Sequence, residues 1–196
     1  IKDKNISLIT LESYLHAKQC IALPSSLILK DFHQKKDFLN LLRNSRIEFK
    51  IKPFKNRGWN THKKFENIFG SSSVSSSPIK KLIGQSKLIV CGYPETPLME
   101  AIVSGVPTIL LYTEKYWSFE NDYQNLVNEM RNQKMVFSSA KDAYNHIKII
   151  HENPYTWWNS KDILILRDRF QKECGGVSTN WIQEWSSYIN KKLEIK

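Results

Sequence analysis

Short runs of β-branched and aliphatic residues alternate along this chain with longer stretches in which apolar residues recur every three or four positions. The first pattern predicts buried strands and the second amphipathic helices, and their alternation is the mark of an α/β layer structure. Strands are expected at Ile6–Ile9, Ile47–Ile51, Leu88–Cys91, Thr108–Leu111 and Met135–Phe137. Helices are expected over residues 31–43, where Phe32, Phe38, Leu39 and Leu42 share a face, and over 97–104, 118–131 and 140–151. The natural reconstruction is a Rossmann-like parallel sheet wound with helices.

From Pro154 onward the pattern is helical only: Trp157-Trp158, then Asp162–Cys174, then Ser178–Leu193 with Trp181, Ile182, Trp185 and Ile189 on one stripe. Because these aromatics follow the helical period they are read as packing residues, with the tail folded back over the sheet. The expected organisation is a Rossmann-like domain over residues 1–153 and an all-helical tail over 154–196 packed on the same domain. Gly70–Ser77 holds six serines, one glycine and one valine, too polar and too small for core, so it is a loop. It leads into a short helix at Pro78–Gly84. Ser77 and its neighbours therefore offer hydroxyls and backbone N–H groups to an anion, unless the segment is only a linker.

A length of 196 residues supports one good core. The first residue is Ile1 rather than Met, which suggests a fragment or a processed chain whose chemistry is shared with a missing partner domain. Cys20, Cys91 and Cys174 are too few and too scattered for a disulfide framework or a zinc cluster, so a reducing cytoplasm fits best. No run approaches the roughly 20 apolar residues that span a bilayer, and no charged-then-apolar leader opens the chain. The net charge of +10 is lopsided: residues 1–67 carry 14 Lys and Arg against 6 Asp and Glu. Such a basic third suits an anionic partner, whether a nucleotide phosphate, an acidic sugar or the inner membrane surface, although a solvated Lys-rich surface has the same composition. Nucleic acid is not expected, because no recognition helix or aromatic-basic signature accompanies the charge.

Candidate chemistry gathers after the strand at Leu88–Cys91. A turn through Gly92, Tyr93, Pro94 and Glu95 leads to Thr96, suited to be an N-cap, and to Pro97, suited to the first helical position, while Gly105 stands where a left-handed C-cap is wanted. A helix start at the carboxyl end of a central strand is where open α/β sheets bind ligands, and its N–H groups favour phosphate. Glu100 lies on the otherwise apolar stretch that follows. Its carboxylate suits a ribose diol, or equally a salt bridge to a basic side chain. Arg57, followed by Gly58 and Trp59, can grip a phosphate or carboxylate with two parallel bonds, or simply lie on the surface beside a packing tryptophan. The five histidines are scattered, and there is no Walker loop or glycine-rich dinucleotide fingerprint, so serine-hydrolase, zinc and dinucleotide readings fall away; no metal or cofactor is expected.

Three features together resemble a transferase family of bacterial O-antigen and capsule biosynthesis regions, related to two-domain glycosyltransferases of the GT-B type. They are Arg57-Gly58-Trp59, the block from Ser86 through Glu100-Ala101 to Gly105-Val106-Pro107-Thr108-Ile109, and the tail from Asn153-Pro154 and Trp157-Trp158-Asn159-Ser160 to Trp181-Ile182-Gln183-Glu184-Trp185. Pro94, Glu95 and Pro97 depart from the small polar residues of that family's pattern. The resemblance implies the C-terminal lobe of a GT-B fold that binds a nucleotide sugar, with the polysaccharide or lipid-linked acceptor held by the missing N-terminal domain. It implies that Thr96 and the helix start at Pro97 meet phosphate, Tyr93 stacks on the base, Glu100 meets ribose or sugar hydroxyls, and Arg57 stabilises charge on the leaving group. The implied setting is cytoplasmic, peripheral to the anionic inner face of the membrane. Two alternatives remain open at this point: a glycerophosphate-type transferase of the same fold, and a non-catalytic basic docking module of a polysaccharide assembly complex.

Overall fold

Five strands form one all-parallel sheet in the computed structural model, which describes residues 5–12, 25–54, 57–175 and 178–193. β1 (Ile6–Ile9) pairs with β2 (Phe49–Lys52) on one side and β3 (Leu88–Cys91) on the other; β4 (Thr108–Leu111) and β5 (Val136–Phe137) extend the second side, giving the order β2-β1-β3-β4-β5. Ile6 stands opposite both Phe49 and Leu88, and Ile9 opposite both Lys52 and Cys91, so the carboxyl ends of the three strands finish level. Helices make the crossovers: α1 (Ser25–Asn44), α2 (Thr61–Phe69), α3 (Ile79–Gln85), α4 (Thr96–Val103) and α5 (Asn121–Asn132); after β5 come α6 (Ala140–Ile150), α7 (Pro154–Trp158), α8 (Lys161–Cys174) and α9 (Trp181–Leu193).

Strand periodicity divides the core into two layers. Leu88 and Val90 of β3 face one side with Ile6, Leu8, Ile51, Ile109 and Leu111, and α1, α2 and α6 close that layer with Phe38, Leu39, Phe65 and Ile147. Ile89 and Cys91 face the other, with Ile9 and Leu110, under α3, α4, α5 and α8. Because both faces are covered, the strands read as continuous apolar runs rather than alternating ones. Ser7, the polar member of β1, is satisfied by Ser86 Oγ at 2.6 Å.

Most expected elements are present, and the departures have local causes. The expected strand at 47–51 begins at Phe49, because α1 runs on to Asn44 and Arg46 takes a left-handed conformation (φ 57). Ile47 is buried in that turn, with its N–H on Leu42 O at 3.0 Å. The helix expected over 31–43 starts at Ser25, and α2 was not anticipated. The serine-rich segment is stitched to the sheet edge: Val74 bridges Ile51, Ser75 N–H donates to Ile51 O at 2.8 Å, and Lys50 Nζ reaches Ser72 O at 2.8 Å.

The two ends of the tail behave differently. Trp158 is fully buried, donates Nε1–H to Gly105 O at 3.0 Å and lies under the Arg167 guanidinium; with Ile163, Leu166 and Phe170 it folds onto the core. Gly105 has φ 72, the left-handed position expected at the end of α4. The stripe on α9, expected to pack, does not: Trp181, Ile182, Trp185, Tyr188, Ile189 and Leu193 are 48–63% exposed. Helical spacing dictates that an apolar face exists, not what meets it. No described helix is long and apolar enough to cross a membrane. Cys20 and His16 lie outside the described residues.

Candidate functional site

In a sheet ordered β2-β1-β3-β4-β5 the chain winds outward in opposite directions from β1 and β3, which leaves a crevice beyond their carboxyl ends. Four segments meet there: Thr10–Glu12 after β1, the loop around Arg57 after β2, Gly92–Glu95 after β3, and Thr113–Tyr116 after β4.

Glu12 organises the second of these. Its carboxylate, 2% exposed, accepts from the backbone N–H groups of Arg57 (2.7 Å), Trp59 (3.0 Å), Asn60 (3.2 Å) and Thr61 (3.0 Å), and from the Thr61 hydroxyl. Asn60, at φ 53, turns the chain into α2 without capping it; Glu12, 49 residues away in sequence, does so instead. A carboxylate at a helix start is favoured by the dipole and by the donors there. The same contacts fix the loop that carries Arg57, whose guanidinium stacks 4.4 Å over the Phe54 ring.

The turn after β3 is held differently. Gly92 donates to Ile9 O at 2.7 Å, and a Cβ there would stand 2.8 Å from that oxygen and 2.9 Å from Lys35 Cε, so only glycine fits. α4 begins one residue earlier than expected: Thr96 is its first residue, Pro97 its second, and Glu95 occupies the cap position without a capping side-chain bond. Thr96 N–H has no partner among the described residues, which leaves an uncapped helix start at the crevice. Tyr93 is 2% exposed and packs in the core; base stacking needs an open ring face, so its expected stacking role does not fit. Burial pushes its hydroxyl pKa up, the neighbouring Cys91 and the carboxylates of Glu95 and Glu100 act in the same direction, and Arg57 opposes it. Arg57, Glu95 and Glu100 thus all act on the Tyr93 hydroxyl.

Glu100 lines a groove of about 390 Å³ between α3 and α4, walled by Ile83, Met99 and Val103 with Lys80 at its rim. Its carboxylate has no hydrogen-bond or ion-pair partner among the described residues. Apolar walls with few polar groups, at this volume, are typical of small-molecule sites. Ser77 fits its expected role less well, since its N–H is taken by Ser75 Oγ at 3.2 Å and the helix that follows has only seven residues.

A third cluster was invisible in the sequence. Lys35, 1% exposed on α1, runs beneath Gly92, and its ammonium binds Asp31 Oδ1 at 2.9 Å and Gln34 Oε1 at 2.6 Å. Thr113 hydroxyl adds a bond to Asp31 at 2.9 Å, tying the end of β4 to α1. Burial lowers the Lys35 pKa, and Asp31 opposes that shift. Beside this pair is a small, partly open cavity of about 20 Å³ lined by Thr10, Glu12, Asp31, Lys35, Trp59 and Thr61, with Phe32 and Phe65 among its other walls. Thr10 Oγ1 and Trp59 Nε1 are buried there without a hydrogen-bond partner among the described residues.

Arg57, Tyr93, Thr96, Pro97 and Glu100 thus share the crevice or its immediate flank, whereas Ser77 turns its N–H back into its own loop. Glu12, Lys35, Asp31 and Thr10 escaped sequence reasoning; the only signal was Glu12 standing three residues past a strand end. Among the described residues, no three His, Cys, Asp or Glu side chains come together to hold a metal ion. In comparison with known proteins, a family model described as LIC12162 family transferase matches residues 2–189. No curated protein matches the chain.

Proposed function

Given that the chain belongs to the LIC12162 family of transferases, we propose that it binds the nucleotide-sugar donor of a glycosyltransferase that builds cell-surface polysaccharide of the O-antigen or capsule kind. The observation that carries this is the uncapped start of α4 at the β1/β3 crevice, facing the loop that presents Arg57. A diphosphate there meets the Thr96 N–H at the helix start and a guanidinium, the two donor types that stabilise a leaving phosphate. The nucleoside extends into the α3/α4 groove, where Glu100 accepts from the ribose diol between apolar walls. Tyr93 supports the turn from below instead of stacking. The polysaccharide or lipid-linked acceptor approaches from the open side of the crevice.

Calorimetric titration with UDP-, GDP- and CMP-linked sugars tests this. Saturable binding of one of them, weakened about 10-fold or more by Arg57→Ala, is expected; no saturable heat from any donor at millimolar concentration sinks the proposal. A second reading, a docking module that holds an assembly complex at the anionic inner membrane face, is favoured by α9, whose apolar face is exposed and whose last turn carries Lys191 and Lys192. Under it, vesicle binding falls steeply with salt and is indifferent to Glu100→Ala.

A further inference from the structure

Two buried polar atoms without partners among the described residues, in one small cavity, demand an explanation, because leaving each unsatisfied costs about 1–3 kcal/mol. The donors available are Thr10 O–H, Trp59 Nε1–H and the third N–H of Lys35, whose other two are spent on Asp31 and Gln34. The charged groups in the lining are Lys35, Asp31 and Glu12, one cation and two carboxylates, so the cavity repels an anion. Glu12 is saturated by five donors, yet Asp31 and Thr10 Oγ1 retain accepting capacity. About 20 Å³ holds one water-sized group. The occupant is therefore neutral, the size of one oxygen with its hydrogen, and both accepts and donates.

We infer that this cavity is a specificity subsite for a single hydroxyl group of the transferred sugar, which accepts from Trp59 Nε1 and Lys35 Nζ and exchanges a hydrogen bond with Thr10. The inference rests on the donor-binding proposal above, since the cavity lies at the carboxyl end of β1, across the crevice from the α4 start. Its size excludes an acetamido or carboxylate substituent at that position, and its unpartnered donors penalise a deoxy sugar. Sites built to hydrogen-bond a hydroxyl discriminate strongly against ligands that lack it.

The test compares the nucleotide sugar that the wild-type chain binds with the corresponding free nucleoside diphosphate, in wild type, Thr10→Val, Thr10→Ser and Trp59→Phe, with a thermal melt of each to confirm folding. Thr10→Val and Trp59→Phe are expected to weaken the nucleotide sugar by about 10-fold and leave the nucleoside diphosphate unchanged, while Thr10→Ser, which keeps the hydroxyl, retains wild-type affinity. If the variants bind the nucleotide sugar as wild type does, or change only the melting temperature, the cavity holds a structural water and the subsite is wrong, while the donor-binding proposal stands. Equal weakening of both ligands also overturns the subsite. If wild type binds neither ligand, both proposals fall together.

Discussion

Two helices start at the same edge of this sheet, and the protein treats them in opposite ways. α2 begins on a carboxylate of its own: Glu12 takes four backbone N–H groups and a hydroxyl, so the positive end of the helix is neutralised internally. α4 begins on nothing, with an extended Glu95 that does not fold back and a Thr96 N–H without a partner among the described residues. Both starts carry the same dipole. The difference assigns them different tasks: the first fixes the loop that carries Arg57, and the second keeps its donors for something outside the chain.

The largest break in this comparison comes from Glu12. Glu12→Ala strands several buried donors at once and is expected to destabilise the fold by about 4 kcal/mol, read as a lower urea midpoint. An unchanged midpoint would mean that the α2 start does not depend on an internal anion. Next is Gly92, which sets the position of the α4 side by its hydrogen bond to Ile9 O and by close approach. Gly92→Ala forces a Cβ to within 2.8 Å of Ile9 O and 2.9 Å of Lys35 Cε, and is expected to cost about 2 kcal/mol. A circular-dichroism melt at the wild-type temperature would show that β1 and β3 yield freely at this point.

The expected outcome for Glu100→Gln is of another kind. Its carboxylate has no partner among the described residues, so folding stability should hold while nucleotide affinity falls about 10-fold, or about 1.4 kcal/mol. Calorimetry alongside urea denaturation separates the two readouts. If stability falls and affinity does not, Glu100 belongs with Glu12 as a structural anion.

The same contrast marks what was legible in the sequence. β1, β3 and β4 were readable because both faces of the sheet are buried and their runs are continuously apolar, and the turn from Gly92 to Thr96 was readable because helix starts and left-handed stops are local chemistry. α2 was not, since its stop-start signal is a glutamate 49 residues upstream. Lys35 falls on the stripe of Phe32, Phe38, Leu39 and Leu42 and Lys36 beside it does not, but a lysine on an apolar face reads as one that reaches out to solvent, and the Asp31 and Gln34 contacts that bury it depend on the packed fold. Tyr93 reads as a surface turn residue and proves to be core, because the helices that cover it come from α3 and α4 packing, which a linear pattern does not encode. His146 is similar: wedged between Phe137 and Trp157 with Nε2 unpartnered, it has its pKa lowered to about 4 by burial and by Lys134.

The smallest and sharpest prediction gives α4 what α2 already has. Glu95 adopts the extended backbone of an N-cap (φ −127, ψ −162), but its side chain is one methylene longer than the residues that cap well. Glu95→Asp keeps the charge and shortens the reach, so the carboxylate can fold onto the helix start. Pro97, the second residue of α4, has no N–H to offer, and the Leu98 N–H is already shared with Glu95 O at 2.9 Å, so the gain in stability stays at the low end of capping effects, about 0.5 kcal/mol. The carboxylate held there now competes with any incoming phosphate, and affinity for a nucleoside diphosphate should fall about 3-fold. A higher urea midpoint combined with weaker binding makes α4 behave as α2 does. A higher midpoint with unchanged binding would place the phosphate elsewhere in the crevice, and Arg57 would then have to hold it without the helix.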